Sequence, residues 1–300
     1  MYIKSLILYT YKEGGKVPRG VYIEGNPRIT RVITAFRKEF GPDFRFRGES
    51  HDFWELVCVI KGHISVAADS RIFELKKGQA ILHTPMQFHN ITALGYDNSE
   101  IAVFTFTGEN IPEIGNQVCE IQDISKVKQL AESARKNYNF DNSICITEPL
   151  DESGNHLVYA KRLELFLLEL ALGLGYEGQT VSQRAKNYSI IVNTLNANVE
   201  RRLTVTELAK ECNMSSINLQ KTFSYYAGIG VMEYFNRIKM NRAAEYLKGG
   251  LSVKETAHIL GFEDQNYFST VFKRITGHAP TDFGRKLSAE EGKRVYNSYR

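Results

Sequence analysis

The apolar residues of this sequence keep two different periods. Between about Val21 and Phe106 they fall in short runs rich in β-branched and aromatic residues, "FWELVCVIKGHISVAAD", "IFELKKGQAILHTP" and "EIAVFTFTG", broken at Gly62, Gly78 and Pro85. Such runs bounded by turn residues predict strands, and several at this spacing predict a sandwich or barrel. From about Ile121 the period becomes helical. Leu163, Phe166, Leu167, Leu170 and Leu174 recur three and four apart, which makes one apolar stripe on a helix through Val158 to Leu172. "GLGYEGQTVSQRAKN" then runs polar and glycine-rich, the composition of an interdomain connection. After Tyr188 every run is short and helical. The expectation is an α+β chain of two domains: a β-barrel over 1–120, a helical segment over 121–175, a linker over 176–187, an all-α domain over 188–287 and a tail over 288–300.

The all-α region repeats itself. Phe223, Gly228 and Tyr234 stand at the same mutual spacing as Phe272, Gly277 and Phe283. Each copy opens on a short capped helix: Thr204 or Thr206 precedes "ELAKEC", and Ser252 precedes "VKETAHIL" with Glu255 in capping-box spacing. A tight turn follows, "NMS" or "GFED", and then Ser215 or Asp264 opens a second helix. Helix, short turn and helix make a helix-turn-helix unit. Within each second helix Leu219, Thr222, Phe223 and Tyr226, or Phe268, Val271, Phe272 and Ile275, share one face and are core candidates. Ser216, Ile217, Gln220 and Lys221 remain on the outer face of the first. On the second the outer set is Gln265, Asn266, Ser269 and Thr270, mostly donors and acceptors able to reach base edges from a major groove.

Charge sharpens this picture. The chain carries a formal net charge of +4, and between Lys186 and Lys286 fourteen Lys and Arg stand against nine Asp and Glu, so the excess belongs to the repeat. A basic face points to a polyanion. The four cysteines, Cys58, Cys119, Cys145 and Cys212, contain no CxxC pair and suit a reducing cytoplasm. "LELFLLELALGLG" is interrupted by Glu164 and Glu169, so no membrane span is expected.

"AKECNMSSINLQKTFSYYAG", "RIKMNRAAEYL" and "SVKETAHILGFEDQNYFSTVFKRITGHAPTDFGRK" resemble the DNA-binding domain of the AraC/XylS family of bacterial transcription regulators, over roughly Asn187 to Leu287. The resemblance implies a long helix joining two helix-turn-helix units, whose recognition helices enter successive major-groove segments about 34 Å apart. It assigns base reading to Ile217, Gln220 and Lys221 in the first unit and to Gln265, Asn266, Ser269 and Thr270 in the second. Lys239 stands where the family usually has arginine, and it is carried over as a DNA-binding residue. Lys273, Arg274, Arg285 and Lys286 are placed for phosphates. Threonine at 270, where relatives have a longer polar side chain, implies less base readout from the second unit.

"RGESHDFWELVCVIKG" followed by "KKGQAILHTPMQFHN" resembles the cupin barrel of AraC-type effector domains. The resemblance implies that His51, Phe53, Glu55 and His89 hold a small organic effector, a sugar or related metabolite, with no cofactor. Alternation puts His51, Phe53 and Glu55 on one face and Trp54 on the other. A second arrangement stays open: Glu49 takes the place of the first histidine of metal-binding cupins, and Glu49, His51, Glu55 and His89 offer an N/O metal set. The leucine-rich helix has two readings, docking on the barrel or pairing with a second subunit. The partners implied are an operator duplex, the effector, a second copy of the chain and RNA polymerase, with no membrane. The rival reading is a metal-dependent cupin enzyme fused to a DNA-binding module.

Overall fold

A computed structural model describes residues 25–115, 117–141, 144–173 and 182–283. Leu174, Arg285, Lys286 and the tail over 288–300 lie outside the described residues. The N-terminal part begins with strands β1 (Arg28–Phe40), β2 (Trp54–Lys61), β3 (His63–Ala68) and β4 (Arg71–Lys76). It continues through β5 (Gln79–His83), β6 (His89–Leu94), β7 (Ser99–Glu109) and β8 (Val118–Glu120). Helix α1 (Ile124–Asn137), strands β9 (Tyr138–Asp141) and β10 (Cys145–Pro149), and helix α2 (Asn155–Leu172) complete it. The strands form a seven-stranded sheet in the order β8-β5-β2-β7-β1-β10-β9 and a three-stranded sheet in the order β4-β3-β6.

Strand β2 explains how the layers stack. Its inward residues Val57 and Val59 pack between the sheets with Ile64, Val66, Leu75, Ile81 and Ile91. Its outward residues Leu56, Cys58 and Ile60 pack under α1 and α2 with Phe104, Phe106, Leu163, Phe166, Leu167 and Leu170. The large sheet is therefore buried on both faces, which is why "ELVCVI" reads as a continuous apolar run. Trp54 is half-buried on the helix side. The stripe on α2 thus docks on the barrel. Glu164, which interrupts it, is buried because its Oε1 accepts from Ile29 N at 2.8 Å and its Oε2 meets Lys161 Nζ at 2.7 Å.

One correction concerns the segment over 121–175, expected to be helical. It holds α1 and α2 but also the β9–β10 hairpin, which adds to the sheet through Thr34 opposite Cys145. "YNFD" and "CITEP" supply aromatic and β-branched residues for the two strands, and the open edge of β1 completes the pairing. A second correction concerns the linker: α3 (Gln183–Ala197) begins inside the stretch 176–187 because the Ser182 side chain caps it by accepting from Ala185 N.

The C-terminal part continues with α4 (Val205–Glu211), α5 (Ser216–Ala227), α6 (Val231–Lys248), α7 (Val253–Ile259), α8 (Gln265–Thr276) and α9 (Pro280–Phe283). Thr204 with Glu207 and Ser252 with Glu255 form the two capping boxes. Ser215 and Asp264 cap α5 and α8. Two cores result. Tyr188, Leu208, Leu219 and Phe223 pack with Val231, Tyr234 and Phe235 of α6, and Leu260, Phe268, Val271 and Phe272 pack with Met240, Ala243 and Leu247 of the same helix.

Lys239 lies on α6 where the two cores meet, and here the structure corrects the sequence. Only 4% of it is exposed, so it cannot be a DNA-contacting residue. Its ammonium donates to Val199 O at 2.7 Å, Arg201 O at 2.9 Å and Leu260 O at 2.5 Å. Three N–H bonds thus meet three carbonyls at the ends of α3 and α7, one unit tied to the other. Burial pushes its pKa down to about 8, so at neutral pH it keeps the proton these bonds need. Lys239→Met leaves those carbonyls without their donor; we expect a loss of about 3 kcal/mol in the urea unfolding of the full chain. An unchanged midpoint would show that water replaces the ammonium.

Candidate functional site

The barrel places four ionisable side chains in one spot by strand register. Glu55 on β2 lies opposite His83 on β5, and His89 opens β6 opposite Ala68. Glu49 bridges to His89 across the loop before β2, with Glu49 N donating to His89 O at 2.8 Å and His89 N to Glu49 O at 2.9 Å. His51 Nε2 comes to 3.4 Å from Glu55 Oε2 and 4.0 Å from Glu49 Oε1. His89 Nε2 lies 3.3 Å from Glu55 Oε1 and 3.8 Å from Glu49 Oε1. One donor atom from each of Glu49, His51, Glu55 and His89 falls within 4.8 Å of the others. The structure therefore brings together all four residues of the sequence-derived set.

The electrostatics follow from burial. Desolvation raises the Glu55 carboxyl, but the nearby His89 charge and the hydrogen bond from His51 outweigh it and hold the carboxyl well below the usual carboxylate range. Desolvation lowers His89, and Glu55 and Glu49 reverse the sign and push it up to about 9. His83, which sequence reasoning missed, is buried and pushed down to about 3, so it stays neutral. Its ring stacks on His89 with centroids 4.4 Å apart, and Gln87 Oε1 sits 2.9 Å from its Nδ1. The pairing of β2 with the non-consecutive strand β5 sets His83 beside Glu55. Phe53 is buried and stacks flat on His51 at 3.7 Å, so it backs the imidazole and does not form an open wall.

The second site is the outer surface of the helix-turn-helix units. Ile217, Gln220 and Lys221 are exposed on α5, and Ser216 is half-buried. On α8, Gln265, Asn266, Thr270, Lys273 and Arg274 are exposed and Ser269 is half-buried. Ser269 Oγ donates to Gln265 O and Thr270 Oγ1 to Asn266 O, both at 2.9 Å. With those protons used within the helix, the two hydroxyls face outward as acceptors only. Tyr267, 57% exposed beside them, was missed because its spacing merges with the core aromatics.

Two family models match: the "AraC-like ligand binding domain" over residues 36–133 and the "Helix-turn-helix domain" over residues 208–286. The chain belongs to the AraC family of transcription regulators. It is similar to the transcriptional activator RhaR of Mannheimia succiniciproducens, at 21% identity over 84% of this chain and 91% of that protein. It is also similar to the uncharacterized regulator YijO of Escherichia coli, at 31% identity over 39% of this chain and 42% of that one. The match thus spans about two fifths of YijO, and about half (49%) of AdaA from Bacillus subtilis. Among solved structures, ToxT of Vibrio cholerae aligns over 86% of this chain and 98% of its own, at 15% identity and a TM-score of 0.36.

In this AraC-family chain the two sites meet through the residues next to Glu49 and His89. Gly48 O accepts from Arg237 Nη1 of α6 at 2.8 Å. Asn90 Nδ2 donates to Tyr226 O near the end of α5, and its Oδ1 accepts from Ala67 N. Phe88 packs edge-on against Tyr234 of α6, with centroids 4.7 Å apart. Gly48, Asn90 and Arg237 were invisible to sequence reasoning, because each partner is more than 130 residues away. Gly48 has φ +56, and a Cβ there would sit 2.3 Å from the Phe88 ring. Gly78 has φ +85 with nothing within 4 Å. Gly78→Ala is expected to cost about 1 kcal/mol from backbone conformation alone, and Gly48→Ala about 2 kcal/mol more from displacing Phe88. Thermal unfolding of both variants measures the difference, and equal losses would place the ring clash within easy relaxation.

Proposed function

We propose that this chain is a sequence-specific DNA-binding transcription regulator, controlled by a small effector bound at the barrel cluster and acting on RNA polymerase in the cytoplasm. The observation that carries the reading is the pair of capped helices α5 and α8, each presenting an exposed polar face, joined through one helix and one buried lysine. Family membership supports it, and two relatives that match over most of their length, RhaR and RhaS, are named as transcriptional activators. No helix among the described residues is long and apolar enough to cross a membrane. The rival enzyme reading has only the barrel cluster behind it. The contacts of Gly48 and Asn90 supply a route by which an effector biases the DNA-binding domain, to the extent that it binds two arrangements differently.

Gln220 and Lys221 on α5 and Gln265 and Asn266 on α8 are the proposed base readers, with Ser216, Ile217, Ser269 and Thr270 beside them. Lys273 and Arg274 are proposed to hold phosphates. The test is a binding titration on the operator and its point variants at several salt concentrations. Gln220→Ala should flatten discrimination at one base pair by roughly 1–3 kcal/mol, whereas Lys273→Ala should weaken all duplexes evenly and reduce the salt slope by about 1. Equal losses on every variant for Gln220→Ala would remove it from base readout.

A homodimer is proposed through the outer face of α2. Leu157, Val158, Leu165, Leu168 and Leu172 are exposed there, and Val158, Leu165 and Leu172 recur every seven residues, the spacing of a helix-pairing seam. Leu165→Glu combined with Leu172→Glu should convert a sedimenting dimer to a monomer that keeps its circular-dichroism spectrum, since both side chains face outward on the single chain. A dimer that survives the double variant would move the interface elsewhere.

A further inference from the structure

We infer that the effector taken by the barrel cluster is a divalent first-row transition-metal ion, held by Glu49, His51, Glu55 and His89. The inference rests on the regulator reading for its biological consequence, while the binding itself is a separate claim about four side chains.

Size is the first argument. Ligand atoms about 2.0–2.1 Å from a zinc-type ion at tetrahedral angles stand about 3.4 Å from one another. The nitrogen-to-carboxylate separations are 3.3, 3.4, 3.8 and 4.0 Å. A space with all four donor atoms within 4.8 Å admits one ion and not a sugar ring.

The orientation of the imidazoles is the second. His51 Nδ1 lies 3.1 Å from Phe53 O, and His89 Nδ1 lies 3.0 Å from Gln87 O. A carbonyl can only accept, so in both rings the Nδ1–H is held by backbone and Nε2 faces the carboxylates, its lone pair available to an ion once the ion displaces the proton there. Metal-ligating histidines are positioned by this kind of outer contact. His89 is 1% exposed, and its Nε2 makes no hydrogen bond of acceptable geometry although Glu55 is beside it. It is an unpartnered buried nitrogen aimed at two carboxylates.

Charge is the third. Two carboxylates face one small buried site, and a divalent ion would take over the compensation that the His89 imidazolium gives them. Two oxygens and two imidazole nitrogens suit zinc, manganese, iron or nickel better than calcium or magnesium, which prefer oxygen. Glu49, whose side chain is 14% exposed, marks the rim by which an ion enters. Binding would tie the loop carrying Gly48 to β6 carrying Asn90, so the ion would fasten together the loop and the strand that contact α6 and the end of α5.

The test uses the full chain, stripped with a chelator and titrated with Co²⁺, read by visible d–d absorption and by operator binding with and without the ion. We expect one Co²⁺ per chain. His89→Ala and Glu55→Gln should each weaken it at least about 30-fold, and the ion should change operator affinity by several-fold. If circular dichroism shows that either buried variant fails to fold, Glu49→Gln at the rim gives the same readout, with an expected loss of about tenfold. The inference is overturned if wild-type protein that binds operator takes up no Co²⁺ below about 100 µM, or if uptake is unchanged in Glu49→Gln and Glu55→Gln. Uptake with no change in operator affinity would overturn the effector assignment. Uptake by a chain that binds no duplex at all would instead remove the regulator reading and leave the metal site standing.

Discussion

A carboxylate inside an apolar barrel has to be compensated, and the N-terminal domain is organised around how Glu55 is. The strand that carries it is apolar on both faces beyond that point, so no water-filled edge is available to it. Compensation comes from three separate places: the loop before β2 brings His51, β6 brings His89, and the backbone pairing of Glu49 with His89 holds the loop in register. Charge neutrality thus fixes the positions of the loop and of β6. Those same two segments carry the contacts to α5 and α6. An electrostatic requirement of one domain has become the mechanical seat of the other.

The elements themselves were largely legible in the sequence. Caps at Ser215, Ser252 and Asp264 depend on neighbours within three residues, and they stand where local chemistry puts them. The strands around Gly62 and Gly78, and the alternation that separates Glu55 from Trp54, are equally local. The barrel set was legible for a different reason, the likeness of its spacing to a known fold.

What escaped was decided by distant partners. A lysine in an outward-looking stretch of helix reads as solvated or DNA-facing; only the carbonyls of Val199, Arg201 and Leu260 converging on one point make Lys239 internal. The β9–β10 hairpin owes its place to the free edge of β1, and a helical stretch on each side concealed it. His83 needed strand register, and Arg237 needed the position of a glycine carbonyl in another domain. Periodicity carries no information about any of these, since none is a repeat.

Helix α6 belongs to both cores of the DNA-binding domain, and its lysine is bonded both to the backbone that follows α3 and to the end of α7. The distance and angle between α5 and α8 are therefore set within the protein and are costly to alter. A duplex whose groove spacing does not match must supply the adjustment itself. On the proposed role, the stiffness of the sequence between the two contacted segments then enters the affinity, and base pairs that no side chain touches help choose the site.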